Sequence, residues 1–164
     1  MNKLTKIFVT FISAITLTLA SISSSFAKVD GEYIVLGAAV SLTGKYSSNG
    51  VHTQNGYNLA VERINKMGGV EVGGKKYKFE IIYYDDESNS GRAAQLAERL
   101  IKQDGVKYML GPYSSGLTKA MAPVTEKYKI PMVEANGASR SLFTKGYKYL
   151  FAVLAPANLY LDVA

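Results

Sequence analysis

Two adjacent serines, Ser114 and Ser115, follow a short apolar segment in "YMLGPYSSGLTKA", residues 108–120, where a predicted helix begins. The start of a helix carries unpaired backbone N–H groups and the positive end of the helix dipole. Serine hydroxyls there can also donate hydrogen bonds to a carboxylate. The junction could therefore hold a small anion without any lysine or arginine. Alternatively, Ser115 is only the N-cap of the helix, a role worth about 1 kcal/mol.

Nucleophilic catalysis is a weaker interpretation of the same serines. A nucleophile elbow has the pattern Gly-x-Ser-x-Gly between a strand and a helix, but two residues separate Gly111 from Ser114 here. The one histidine, His52, lies in "NGVHTQNG" and is not expected to act as a base. The pattern favours a binding protein over a hydrolase, and we assign no catalytic residue.

Two further motifs could suggest a cation or a nucleotide. Three consecutive acids in "YYDDES", residues 83–88, have no second acidic loop as a partner, so a solvated strand end is favoured over a metal site. "GGVEVGG" lacks the Gly-Lys-Ser/Thr of a phosphate loop, and the "GGK" that occurs leads into a strand. We predict neither a metal nor a cofactor.

The apolar pattern predicts alternating strands and helices. Strands are expected within the segments 33–44, 70–72, 77–84, 106–111, 130–135 and 149–156. Helices are expected within 56–67, 88–105 and 114–129. Apolar residues at helical spacing are expected to face inward from the first helix at Leu59, Ala60, Ile64 and Met67. The second helix should do so at Ala93, Leu96, Ala97, Leu100 and Ile101. Asn89 or Ser90 can cap the second helix, and Pro123 should kink the third or split it.

Strands that alternate with helices imply right-handed crossovers and a parallel sheet. Ligands of open α/β sheets bind beyond the carboxyl ends of the strands. Three segments fall there, namely 41–50, 111–116 and 134–139, and all are rich in Gly, Ser, Thr and Asn. The fold class is therefore α/β, with a candidate binding site at one edge of a parallel sheet.

The first 27 residues have the features of a secretory signal peptide. Lys3 and Lys6 precede the apolar segment 7–20, and Ser25-Phe26-Ala27 fits a cleavage site after Ala27. The apolar segment is short for a membrane anchor, which needs about 20 residues. We therefore expect export to the periplasm with cleavage of the leader, and a mature chain from Lys28.

Composition narrows the possible partners. The formal net charge is +6, of which the two leader lysines account for two units. The remaining lysines are spread along the chain rather than clustered with stacking aromatics, so we expect no nucleic-acid partner. There is no cysteine, which excludes a disulfide and a lipid-modified cysteine.

The motifs together resemble one family, the periplasmic substrate-binding proteins of branched-chain-amino-acid-type ABC transporters, the Leu/Ile/Val-binding group. The resemblance covers nearly all of the predicted mature chain. Its matching stretches are "SLTGKYSSNG", "NGYNLAVERINKMGGVEVGGKKYKFEIIYYDD", "GRAAQLAERLI", "YMLGPYSSGLTKAMAPVTEKYKIPMV" and "ANGAS".

The resemblance implies two α/β lobes that close on a ligand, of which this chain would supply the first. Residues 28–155 would form the Rossmann-like N-terminal lobe, and residues 156–164 would start the crossover to a second lobe that is missing. Family members are about twice this length, so the resemblance implies an N-terminal fragment with an exposed sheet edge and an apolar patch. Such a protein is not an enzyme, and as a full-length monomer it delivers a small ligand, such as an amino acid, to a permease. A sensor for amides, urea or small carboxylates is the alternative.

The resemblance also implies which residues hold the ligand. Ser115, with Ser114 beside it, would grip the α-carboxylate and α-amino groups. The loop after the fourth strand of the parallel sheet would add Gly137, Ala138 and Ser139. Asn49 with nearby Tyr46 would approach the ligand side chain, and Tyr113 would line the cleft.

Overall fold

The computed structural model describes residues 29–160, so the predicted leader and its cleavage site lie outside the described residues. The strands are β1 (Val29–Asp30), β2 (Tyr33–Val40), β3 (Val70–Val72), β4 (Lys75–Asp85), β5 (Met109–Leu110), β6 (Met132–Glu134) and β7 (Leu150–Ala152). The helices are α1 (Ser47–Lys66), α2 (Ser90–Lys102) and α3 (Ser115–Tyr128), with 3₁₀ turns at Arg140–Leu142 and Ala157–Leu159. None of the helices in this described part is long and apolar enough to cross a membrane.

The strands form one sheet in the order β3-β4-β2-β5-β6-β7, with β1 paired to β2. β2 is parallel to both β4 and β5, and the parallel pairing continues through β6 to β7. β3 and β4 form the predicted hairpin around Gly73-Gly74. The expected α/β fold with a parallel sheet is confirmed. Four neighbouring strands consequently end at the same edge, at Val40, Asp85, Leu110 and Glu134.

Helices α2 and α3 pack together and against the sheet, and the core lies between them. All five α2 residues predicted to face inward are buried: Ala93, Leu96, Ala97, Leu100 and Ile101. Asn89 is the N-cap of α2, because its Oδ1 accepts the N–H of Arg92 at 3.0 Å. The periodicity and cap predicted for this helix are therefore confirmed.

Helix α3 runs without interruption through Pro123. The expectation that it could be two short pieces is wrong. The carbonyl that loses its helical partner belongs to Lys119, which is exposed, so water can hydrate it. The loss of one helical hydrogen bond therefore does not break the helix at this position.

Helix α1 starts earlier than the sequence predicts. The segment after the first predicted strand was expected to be a loop up to Gly50, but α1 begins at Ser47 and Asn49 lies on the helix. Gly50 is buried, and a Cβ atom there would lie 1.8 Å from the carbonyl oxygen of Ser41. This glycine therefore permits close packing of the helix on the preceding backbone and does not end the helix.

The face of α1 that packs on the sheet also differs from the predicted one. Leu59 and Met67 are each 67% exposed, and Ala60 is exposed as well, whereas Ile64 is half-buried. The buried and half-buried residues at helical spacing are Gly50, Thr53, Tyr57, Val61 and Ile64. The prediction failed for Leu59, Ala60 and Met67 because small and polar residues share the packed face with Val61 and Ile64, while those three residues point outward.

The other face of the sheet is apolar and partly uncovered, as the sequence analysis expected. Its groove, of about 370 Å³, is lined by Ile34, Leu36, Val70, Val72, Phe79, Tyr108, Met109, Leu110, Pro131 and Val133. Phe151 on the edge strand β7 is 52% exposed. The short strand β1 was not predicted, because two residues carry no readable period.

Candidate ligand-binding site

The start of α3 is hydrogen-bonded to the loop that follows β6. The N–H of Ser139 donates to Oγ of Ser115 over 3.1 Å. Ser114 occupies the N-cap position but its side chain makes no capping hydrogen bond, and Ser115 is the first helical residue. The interpretation of Ser115 as a simple N-cap is therefore wrong. Since its oxygen accepts from Ser139, its hydroxyl hydrogen remains free to donate.

A buried carboxyl group, that of Glu134, organises the same loop. Its Oε1 accepts the N–H of Asn136 at 2.5 Å and that of Gly137 at 2.7 Å. Its Oε2 lies 2.5 Å from the hydroxyl oxygen of Thr118 on α3. Burial raises the pKa of Glu134, against the opposing effect of these hydrogen bonds. Glu134 was not predicted as a functional residue, although a lone glutamate in an apolar strand segment was a signal that could have identified it.

Two tyrosines meet beside the serines. The rings of Tyr46 and Tyr113 have centroids 5.5 Å apart and an interplanar angle of 71°, which is an edge-to-face contact. Nζ of Lys45 lies 4.7 Å from the centroid of the Tyr46 ring. Hydrogen bonding to Lys45 and Ser114 lowers the pKa of the Tyr46 hydroxyl. The structure thus brings together three of the predicted site residues, Tyr46, Tyr113 and Ser114.

A cleft of about 390 Å³ lies between α1 and the loops after β5 and β6. It is lined by Asn49, His52, Thr53, Gly56, Tyr57, Tyr113, Ala135 and Asn136. Of the predicted site residues, Asn49 and Tyr113 line this cleft. The other six predicted site residues are not part of the cleft lining: Tyr46, Ser114, Ser115, Gly137, Ala138 and Ser139.

Four lining residues on α1 were not predicted as site residues: His52, Thr53, Gly56 and Tyr57. His52 and Thr53 were missed because the helix was expected to begin after them. The hydroxyl of Tyr57 donates to the carbonyl oxygen of Gly111 at 2.7 Å, which fixes the helix to the loop after β5. Burial of the Tyr57 ring raises the pKa of its hydroxyl. His52 is exposed at the rim of the cleft.

The loop after β2 is held by the acidic run at the end of β4. Asp85 Oδ1 accepts the N–H of Leu42 at 2.9 Å and of Thr43 at 3.2 Å, and its Oδ2 accepts the Thr43 hydroxyl at 2.7 Å. Asp86 is fully buried and its Oδ1 accepts the hydroxyl of Ser41 at 2.6 Å. The prediction of a solvated strand end is therefore wrong for this run, because two of its acids pair with neighbouring loop atoms.

The pKa values of the two aspartates shift in opposite directions. Desolvation raises the pKa of Asp85, but hydrogen bonds from Thr43, Glu87 and Leu42 outweigh it and hold the pKa below its usual range. Desolvation dominates at Asp86 and raises its pKa. Within the described residues, no three His, Cys, Asp or Glu side chains converge as a metal site would require.

The family model described as periplasmic binding protein matches residues 33–160, and the chain belongs to this family. Among curated proteins, it is similar to the leucine-, isoleucine-, valine-, threonine- and alanine-binding protein of Pseudomonas aeruginosa. The two are 28% identical over 131 residues, which cover 80% of this chain and 34% of the relative. The chain thus spans about a third of the length of the curated relatives it matches.

Solved structures show the same fold. The branched-chain amino acid transporter substrate-binding protein LivJ from Streptococcus pneumoniae, in complex with isoleucine, is 30% identical with a TM-score of 0.66. The match covers 74% of this chain and 33% of that one. A solute-binding protein from R. palustris in complex with 4-hydroxybenzoate is 29% identical with a TM-score of 0.61, over 73% of this chain and 31% of that one. The predicted identity as a periplasmic binding protein lobe is confirmed.

Proposed function

We propose that this chain forms one half of the ligand site of an exported solute receptor, which delivers a small carboxylate-bearing ligand to an ABC transporter permease. An amino acid of the branched-chain type is the favoured ligand. The observation that carries the proposal is the hydrogen bond from the N–H of Ser139 to Oγ of Ser115, which holds the loop after β6 against the start of α3. The names of the similar proteins support this ligand class.

The ligand carboxylate would lie at the start of α3. The first backbone N–H groups of a helix have no helical partner, and the helix dipole favours a negative charge there. The hydroxyl hydrogen of Ser115 would donate to one carboxylate oxygen, and the hydroxyl of Ser114 would lie beside it. Gly137, Ala138 and Ser139 would border the ligand from the loop after β6, and Ser139 would add its own hydroxyl.

The rest of the ligand would extend toward the cleft. Asn49 on α1 and the edge-to-face pair of Tyr46 and Tyr113 would contact its side chain. No bond is made or broken in this function. The ligand would bind the closed state of the receptor more tightly than the open state and would therefore favour closure. The permease would recognise the closed state.

An aromatic carboxylate is the second candidate ligand. The tyrosines around the cleft favour it, since Tyr46, Tyr57 and Tyr113 offer ring faces and edges for stacking. The structure with 4-hydroxybenzoate is a family precedent for such a ligand. Both candidates share the carboxylate position at α3 and differ in what fills the cleft.

Isothermal titration calorimetry would test the proposal on the protein expressed from its complete gene. The panel is L-leucine, L-isoleucine, L-valine and 4-hydroxybenzoate, with L-leucinamide as the matched compound without a carboxylate. Binding of one acid supports the proposal. If that acid is an amino acid, L-leucinamide should also bind at least tenfold more weakly than L-leucine. Absence of binding by every acid, or equal binding of L-leucine and L-leucinamide, would contradict it.

A further inference from the structure

Glu134 ends strand β6 directly beneath the loop of the proposed site, and its side chain is fully buried. One oxygen, Oε1, accepts the N–H groups of Asn136 and Gly137 at 2.5 and 2.7 Å. Burying a carboxyl group is costly unless hydrogen bonds satisfy it. These two bonds fold the chain after β6 back over the end of the strand. The same loop is also held at Ser139, three residues after Asn136, because Ser115 accepts the N–H of Ser139.

The hydroxyl group of Thr118 links this carboxyl group to the start of α3. Its oxygen lies 2.5 Å from Oε2 of Glu134 and 3.0 Å from the carbonyl oxygen of Ser114. A threonine hydroxyl has one hydrogen and cannot donate to both acceptors at once. If Glu134 is neutral, its own proton on Oε2 donates to Thr118, and Thr118 donates to Ser114. Both contacts are then hydrogen bonds, and Oε1 remains an acceptor for the loop.

Gly111 on the neighbouring strand end packs closely against the carboxyl group of Glu134. A Cβ atom on Gly111 would lie 2.2 Å from Oε2 of Glu134, so the glycine backbone packs directly on the carboxyl group. The titratable group that faces it from α1 is the hydroxyl of Tyr57, which donates to the carbonyl of Gly111. Burial raises the pKa of Glu134, in agreement with the neutral form inferred from the hydrogen count.

We propose that Glu134 is a positioning residue of the ligand site, which holds the 135–139 loop through Asn136 and Gly137 and connects it through Thr118 to Ser114. The role in ligand binding rests on the proposed function. The positioning itself does not, because it concerns contacts within the described chain. Glutamine is the closest replacement for the neutral acid, since its amide oxygen can accept from the loop while its NH₂ group donates to Thr118.

The test uses amide hydrogen exchange and ¹H–¹⁵N spectra of the wild type, Glu134→Gln, Glu134→Ala and Glu126→Ala. Glu126 is the matched control, because its carboxylate also accepts backbone N–H groups, those of Lys148 and Tyr149, but before β7 and away from the site. We expect Glu134→Ala to speed exchange at Asn136 and Gly137 by about tenfold or more, and Glu134→Gln and Glu126→Ala to change it by less than about threefold.

A pH titration of the wild type supplies a readout that needs no variant to fold. The amide shifts of Asn136 and Gly137 should titrate together, with a midpoint above the ordinary glutamate pKa of about 4.3, and Glu134→Gln should abolish this titration. Unchanged exchange in Glu134→Ala would overturn the positioning role. Wild-type amides that do not titrate above the ordinary glutamate pKa would overturn the neutral form of Glu134. Equal disruption by alanine and glutamine would overturn the hydrogen-bonding scheme of the neutral acid.

Ligand titration separates this inference from the proposed function. In the protein from its complete gene, Glu134→Ala should weaken binding of L-leucine or 4-hydroxybenzoate at least tenfold, while Glu134→Gln and Glu126→Ala should stay within about threefold. Wild-type affinity in Glu134→Ala would overturn the link to the ligand. If the amide results hold but the wild type binds neither probe, the positioning role stands and the proposed function fails.

Discussion

Ser115 and Ser139 are 24 positions apart in the chain, yet the side-chain oxygen of the first accepts the backbone N–H of the second at 3.1 Å. The bond joins the first turn of α3 to the loop after β6. Because the Ser115 oxygen is the acceptor in this bond, its hydroxyl hydrogen is still available to donate to a second group. This relationship is the basis of the first prediction.

Replacing Ser115 with alanine should weaken ligand affinity at least tenfold in the protein from its complete gene. The variant loses a donor to the ligand carboxylate and the acceptor that holds Ser139, and a hydrogen bond to a charged group contributes about 1.5–3 kcal/mol. Calorimetry with the panel compound that binds the wild type measures the effect. Ser90→Ala is the control, because Ser90 also begins a helix but Asn89 caps that helix. Unchanged affinity in Ser115→Ala would remove this residue from the site.

Replacing Gly111 with alanine should destabilise the fold by about 2 kcal/mol, within the range for overpacking. The new methyl group would lie 2.2 Å from Oε2 and 2.8 Å from Cδ of Glu134, and hydrogen bonds to both carboxyl oxygens hold this side chain in place. Urea denaturation followed by circular dichroism gives the free energy of unfolding. Gly56→Ala is the matched control, since nothing lies within 4 Å of a Cβ atom there. It should stabilise helix α1 by about 0.5–1 kcal/mol, and equal stability of the two variants would contradict the packing described at Gly111.

Replacing Asp85 with asparagine should flatten the acid dependence of stability. The folded state holds the pKa of Asp85 below its usual range, so the unfolded state binds more protons on acidification. The stabilisation is therefore present above the ordinary aspartate pKa of about 3.9 and is lost as the pH falls through the lower folded pKa. Urea midpoints of wild type and variant should differ at pH 6 and converge below about pH 4. Parallel profiles would show that Asp85 does not stabilise the loop through its charge.

Asp86 should behave in the opposite way. Desolvation raises its pKa, so its folded state retains a proton that the unfolded state releases. Its contribution is present below the ordinary pKa and is lost as the pH rises through the higher folded pKa. In Asp86→Asn, the decline of stability on raising the pH above about 4 should be smaller than in the wild type. The same denaturation series measures it, and a steeper decline in the variant would contradict the assignment.

Replacing Asn89 with alanine should cost about 1 kcal/mol, the usual value of an N-cap. The side chain accepts the N–H of Arg92, and alanine leaves that donor to water. The control is Ser90→Ala, in the adjacent position without the capping bond. It should stay within about 0.5 kcal/mol of the wild type by urea denaturation. A larger loss in Ser90→Ala than in Asn89→Ala would show that the cap is misassigned.

Local patterns predicted the parts of the fold that depend on local chemistry. The inward face of α2, its Asn89 cap and the hairpin at Gly73-Gly74 follow from spacing within a few residues. The alternation of elements then placed three polar loops at one sheet edge, which is why Ser115 and Ser139 could be predicted to lie near each other.

The features that were missed depend on contacts distant in sequence. Gly50 resembles a helix breaker until the backbone of Ser41 is seen against it. Asp86 resembles a solvated acid until Ser41 donates to it, 45 residues away. Glu134 was passed over because its partner Thr118 lies on another element. A single sequence carries no record of such pairings, so the polar framework beneath the site could not be predicted.

The loop after β6 is held in place by its main chain, since the groups that bind Glu134 and Ser115 are the N–H groups of residues 136, 137 and 139. Every residue type except proline carries that group. The side chains of Asn136 and Ala138 are therefore not needed for these hydrogen bonds. Asn136 lines the cleft, and Ala138 belongs to the proposed ligand site. Mutations at these two positions can change the groups that face a ligand while the hydrogen bonds that hold the loop persist. The two positions are therefore natural starting points for evolving or engineering a receptor with a new specificity.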